Sequence, residues 1–156
     1  MPPIKRHDAL VQFSREHHFG LLLSWKVKQG IAKNIDNKRM AEYILAASDV
    51  EILPHFENEE KELFGLLAKD DSLRLRAEQE HASIRQKLKE LKDGQQAETL
   101  TAFVSELDAH IRFEERELFP HIEQQQSFEV YAGAIKVHES APHEDFDSSW
   151  SDHFWV

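Results

Sequence analysis

The sequence predicts an all-α protein: an up-down-up-down four-helix bundle with a C-terminal tail packed on it. Three observations carry that prediction. Only five glycines and five prolines punctuate the 156 residues. No window sustains the period-two alternation of a half-buried strand. Four long stretches with apolar residues at helical spacing are joined by short links, which favour antiparallel neighbours.

Each element follows from local signals. The first helix starts at Asp8, a good N-cap, and runs to about Lys28, with Gly30 just past its end. The second begins at Asp36 and continues to about Lys69. Pro54 lies inside it and lacks a backbone donor, so a bend or a split is expected there. Ser72 caps a third helix that runs to about Lys92, before the stop at Asp93-Gly94, and a fourth extends from about Gln96 to Glu123. Residues 1–126 thus form the bundle and residues 127–156 a separate tail. There Ser127 caps a short helix through Val137, and Pro142 with the run Glu144 to Asp152 breaks any continuation. Trp150, Phe154 and Trp155 are too apolar to stand in water. They are expected to cover one end of the bundle, limiting access to its centre, or to meet a protein partner or second subunit.

Composition narrows the function. Nineteen Lys and Arg against 29 Asp and Glu give a formal charge of -10. Nucleic acid and anionic membrane surfaces both require clustered positive charge, so neither is an expected partner. The absence of cysteine rules out disulfides, zinc-thiolate sites and thiol nucleophiles. The longest nearly apolar stretch, Phe19 to Trp25, is far below the roughly 20 residues a spanning helix needs. The opening Met-Pro-Pro-Ile-Lys-Arg leads into mixed-polarity sequence, and a cytoplasmic location is expected. No Gly-rich phosphate loop or nucleophile elbow is present.

Ten histidines are many for this length, and several are placed rather than scattered. His55-Phe-Glu-Asn-Glu59-Glu60-Lys-Glu62-Leu63-Phe64 is echoed by His110-Ile-Arg-Phe-Glu114-Glu115-Arg-Glu117-Leu118-Phe119, with six of ten positions identical. In each copy a histidine and a glutamate four residues on share one helix face. A single such pair is ordinarily a surface contact. Here Glu60, Glu62, Glu115 and Glu117 already supply solvent-facing charge, and an inward His and Glu are costly to bury unless something satisfies them. A divalent cation does so, and imidazole with carboxylate suits iron, manganese or zinc. His81 lies on the apolar stripe of the third helix, where a lone histidine is more often a satisfied core residue. His17 and His18 differ by about 100° around the first helix, so at most one aims inward, and periodicity leaves both open. Four histidines and two carboxylates over four helices match a two-metal site. His121 lies about 16 Å along the axis from His110, beyond the same ions. His7, His138, His143 and His153 fall in terminal or tail sequence and are expected to be solvated.

The acid-His pair of the first helix, His-x-x-x-Glu-Glu followed by Leu-Phe in the second and fourth, and Glu-His in the third together resemble the hemerythrin-like (HHE cation-binding) domain. The resemblance covers roughly residues 8–125. It implies a non-haem di-iron centre (two Fe ions with an oxo or hydroxo bridge) held by His17 or His18, His55, Glu59, His81, His110 and Glu114. Oxygen-carrying members have a second histidine one turn after the third-helix ligand, where this chain has Arg85. That departure leaves one iron a nitrogen donor short and tells against reversible oxygen carriage, but not against metal binding, since four-histidine sites in the family occur in sensor, iron-regulatory and nitrosative-stress proteins. The expected function is binding or sensing of oxygen, nitric oxide, iron or redox state; the alternative is a di-iron redox enzyme acting on oxygen, peroxide, nitric oxide or ferrous iron.

Overall fold

A computed structural model describes residues 5–136 and 143–156, and among them every regular element is helical. Asp8–Leu10 form a 3-10 turn that leads into α1 (Val11–Ala32). The cap is His7 rather than Asp8: its Nδ1 accepts from the Ala9 N–H at 3.0 Å. Nor does α1 stop before Gly30. It runs through to Ala32, and the chain reverses at Asn34, whose φ of 57° lies in the left-handed region that asparagine tolerates. Gly30 serves close packing instead. A Cβ there would stand 2.7 Å from Met40 Sδ and 2.9 Å from a Phe154 ring carbon.

The second rod is α2 (Asn37–Ala47), a π-turn over Ser48–Ile52, and α3 (Leu53–Glu62). Pro54 therefore neither ends nor splits it. A proline ring collides with the carbonyl four residues back, and the wider π-turn just before it makes room. The rod ends at Glu62, short of the expected Lys69, and passes into a 3-10 turn at Phe64–Leu66. The third rod is α4 (Ser72–Asp93). Its cap is Asp71, not Ser72: the Asp71 carboxylate accepts from the Leu73 and Arg74 N–H groups at 3.0 and 3.1 Å. The fourth joins α5 (Ala97–Phe113) through a π-turn at Glu114–Leu118 to α6 (Phe119–Glu123), and Pro120 is accommodated as Pro54 is.

Beyond the bundle, α7 spans Phe128–Ala132; Val137 and Pro142 lie outside the described residues. A separate helix, α8 (His143–Ser149), forms largely within the run expected only to break the preceding helix. The reason is tertiary. Asp147 pairs with Lys26, a lysine buried on α1, and accepts from the Tyr43 hydroxyl at 2.8 Å. Arg39 grips Asp152 with two nitrogens at 2.8 and 2.7 Å. Phe146, Trp150, Phe154 and Trp155 surround Tyr43 with ring centroids 4.9 to 5.8 Å away, so the aromatic tail packs back on the bundle.

The core is in two parts. One gathers Leu23, Ile52, Phe56, Ile84, Leu107 and Ile111; the other gathers Phe13, Leu63, Ala77, Phe113 and Phe119. On every rod one or two buried polar residues fall between them: His17, His55 with Glu59, His81, and His110 with Glu114. Among the described residues no helix is long and apolar enough to cross a membrane.

Candidate metal centre

Six of the seven residues singled out by sequence converge. His17, His55, His81 and His110 are buried, and Glu59 and Glu114 have no exposure at all. His18 is the exception: it is exposed, and the 100° step along α1 that turns His17 inward turns His18 out. Each imidazole points Nε2 at the two carboxylates. His17 Nε2 is 2.9 Å from Glu114 Oε1 and 3.7 Å from Glu59 Oε2. His55 Nε2 is 3.2 Å from Glu59 Oε2, and His81 Nε2 is 3.3 Å from Glu59 Oε1 and 3.8 Å from Glu114 Oε2. His110 Nε2 is 3.3 Å from Glu114 Oε1. The Glu59 carboxylate thus turns one oxygen toward His17 and His55 and the other toward His81.

The opposite ring nitrogens meet four further carboxylates, two of which, Glu60 and Glu115, the sequence analysis placed in solvent. Nδ1 of His17 is 2.7 Å from Glu115, that of His55 is 2.9 Å from Glu16, that of His81 is 2.7 Å from Glu60, and that of His110 is 2.7 Å from Glu80. Glu60 and Glu115 are therefore partly buried partners of the histidines and not solvent-facing charge. The pattern closes on itself around the bundle. The first rod's histidine meets the fourth rod's glutamate, the fourth's meets the third's, the third's meets the second's, and the second's meets the first's. A signal for it was present: the glutamate of each pair adjoins a site residue in the Glu16-His17, Glu59-Glu60, Glu80-His81 and Glu114-Glu115 dipeptides. A carboxylate on Nδ1 holds a proton there and turns Nε2 inward as the nitrogen left to meet a cation.

Charge follows the geometry. Burial disfavours the imidazolium form of all four histidines. The surrounding carboxylates outweigh it, lifting His55 to about 9 and His110 to about 10, and raising His17 and His81 as well. Burial likewise works against ionised Glu59, but the charge of His55 and the close imidazoles of His17 and His81 hold it well below the usual carboxylate range. Glu60 and Glu115, also penalised by burial, are brought to about 2 by His81 with Arg85 and by His17 with Ser14 and Arg6 respectively.

Two overlapping groups of donor atoms result, His17-His55-Glu59-Glu114 and Glu59-His81-His110-Glu114, the atoms of each lying within 4.8 Å of one another. The residues fit a cation. Metal–nitrogen and metal–oxygen bonds of about 2.0–2.2 Å put neighbouring ligand atoms roughly 3 to 3.5 Å apart, close to the spacing seen. Nε2 of His55, His81 and His110, both Glu59 oxygens and Glu114 Oε2 are buried without a hydrogen-bond partner. Carboxylate and imidazole atoms left unpartnered at such depth are what a bound cation satisfies. The family model described as the Hemerythrin HHE cation binding domain matches residues 7–122.

The chain belongs to the hemerythrin HHE family. Comparison with curated proteins and with solved structures gave no match. Within this hemerythrin-like domain Arg85 does not replace the missing histidine as a donor. It turns to Glu60, at 2.6 and 3.0 Å, while Phe56 lies flat on the His81 ring with centroids 3.8 Å apart. His121 pairs with Asp71 at 2.7 Å, away from the centre. His7 packs edge-on to Phe128 at 4.8 Å, so it is not the solvated residue expected. His153 is exposed, as expected; the His138 and His143 side chains lie outside the described residues. Beside the centre, Gly20, Ile52, Phe56, Leu107 and Ile111 line a small cavity that also meets Glu16, Glu51, His17, His55, His110 and Glu114. Its volume of about 10 Å³ is at the lower limit for a single water.

Proposed function

We propose that this domain holds two iron ions and binds or senses a small ligand such as oxygen or nitric oxide, or iron and redox state itself. The observation that carries this is the pair of four-residue donor groups sharing both Glu59 and Glu114. His17 and His55 would serve one ion, His81 and His110 the other, and the two carboxylates both. Bound there, two irons supply redox chemistry and open positions for a small ligand. The chain's own part is to fix four Nε2 atoms through Nδ1 hydrogen bonds and to keep water out with two apolar core layers. The cavity beside His17, His55 and His110 is at the lower limit for a single water, so it would keep all but the smallest ligands from the centre.

A second reading, a di-iron redox enzyme, is favoured by Glu16 and Glu51, buried carboxylates on the wall of that cavity that could pass protons to a guest. One experiment separates the two. Protein reconstituted anaerobically with ferrous iron should carry about two irons per chain. Exposure to air or nitric oxide that produces a colour reversed by degassing supports binding. Irreversible oxidation with consumption of oxygen or peroxide over many cycles supports turnover. Failure to retain iron, manganese or zinc would overturn both.

A further inference from the structure

Three of the four histidines belong to a repeated four-residue loop. His81 Nδ1 meets Glu60, Glu60 is held by both terminal nitrogens of Arg85, the Arg85 guanidinium lies 5.6 Å from the Phe56 ring, and Phe56 stacks on His81 at 8°. His17 repeats this with Glu115, Arg6 and Phe119: Arg6 reaches Glu115 at 2.8 Å and stands 5.3 Å from the ring that stacks on His17 at 15°. His110 repeats it with Glu80, Arg76 and Phe113, at 2.9 Å from arginine to carboxylate and 4.0 Å from guanidinium to ring. There the ring meets the imidazole obliquely, 47° between planes and 6.4 Å between centroids.

We propose that Arg6, Arg85 and Arg76 are positioning residues that set the imidazoles of His17, His81 and His110 with Nε2 inward before any metal arrives. A carboxylate bound only to an imidazole can rotate and release it. A guanidinium on its second oxygen, or forked across both, fixes the carboxylate plane. The same guanidinium lies by the aromatic ring that limits rotation of the histidine, so both restraints on each imidazole share one anchor. As contributors to stability, partly exposed ion pairs such as Arg76–Glu80 are worth little. Their value is orientation, which metal sites obtain from the groups behind their ligands.

The significance for metal uptake rests on the di-iron proposal, but the positioning itself is measurable without metal. In metal-free protein carrying ¹⁵N-histidine, the Nδ1–H protons of His17, His55, His81 and His110 should appear as slowly exchanging resonances. Arg85→Met, which keeps an apolar stem over Phe56, should remove the His81 resonance and leave the other three; Arg85→Lys should restore it in part. Arg76→Met, at a half-exposed position, should act in the same way on His110 alone. A general loss of packing would broaden all four together, so the selective effect marks positioning. With iron(II) added, Arg85→Met should bind about tenfold or more weakly. Unchanged His81 and His110 resonances in both Met variants would overturn the proposal, whatever the iron content of the wild type. Selective loss in a wild-type background that takes up no iron would uphold positioning and end the di-iron reading.

Discussion

Glu59 and Glu114 are fully buried acids whose charge partners at the centre, among the described residues, are imidazoles. Replacing either by alanine leaves two sets of histidines without the carboxylate they share. Glu59→Ala and Glu114→Ala should each lose at least one iron and several degrees of melting temperature in the iron-loaded protein. Retention of both irons in both variants, by metal analysis, would count against the shared-carboxylate arrangement. The same residues give a pH signature. The four histidines titrate above the ordinary 6.5 in the fold, His55 near 9 and His110 near 10. The stability they lend the metal-free protein is whole below about pH 6.5 and is lost as pH rises through 9 to 10. Glu60 and Glu115, near 2, lend stability that is present above the usual 4.5 and lost as pH falls toward 2. A cation reverses the first trend, because it needs imidazoles without Nε2 protons. Melting curves with and without iron should therefore diverge more at about pH 9 than at about pH 6. An equal gap at both would mean the imidazoles carry no such protons in the metal-free fold.

At the scale of elements, the two π-turns let prolines sit inside long rods. The second begins at Glu114 itself, so the irregular turn and a site carboxylate coincide, as such turns often do at functional positions. Close approach is the other device. At Gly30 the Met40 sulfur is the end of a flexible chain and can yield, but the Phe154 ring at 2.9 and 3.0 Å is wedged beside Tyr43 and Trp155. Alanine gains about 1 kcal/mol of helix propensity, against about 1–3 kcal/mol for overpacking. Gly30→Ala should come out destabilised by about 1 kcal/mol and shift the tryptophan fluorescence as the tail lifts. A stabilised variant with unchanged emission would show that Phe154 does not seal this notch.

For the molecule as a whole, the tail lies along α1 and α2 at Lys26, Gly30, Arg39 and Tyr43. Lys26 is about 14 Å from His17 along the helix axis. Deleting residues 143–156 strips the carboxylate from a buried lysine and uncovers Met40 and Tyr43. Thermal unfolding should occur several degrees lower, while iron content stays at the wild-type level because the tail contacts seen among the described residues fall on Lys26, Gly30, Arg39 and Tyr43 rather than on site residues. Loss of iron without loss of stability would instead tie the tail to the centre.

Much of this protein was legible in its chain. Helical periodicity, the His-x-x-x-Glu-Glu echo and the Glu-His dipeptides led to four rods and to His55, Glu59, His81, His110 and Glu114, because side-chain direction on a helix follows from spacing alone. Spacing could not decide between His17 and His18, since the facing direction of α1 depends on which neighbours it packs against. Nor could it distinguish Glu60 and Glu115 from ordinary surface acids. Their role exists only where another rod brings a histidine within 2.7 Å. α8 formed in an acidic run for the same reason, whereas the caps shifted by one residue, from Asp8 to His7 and from Ser72 to Asp71, through local hydrogen bonds to the first backbone N–H groups. Local sequence sets which conformations are affordable, whereas a buried lysine, a facing imidazole or a ring pressed on a glycine comes from residues far along the chain.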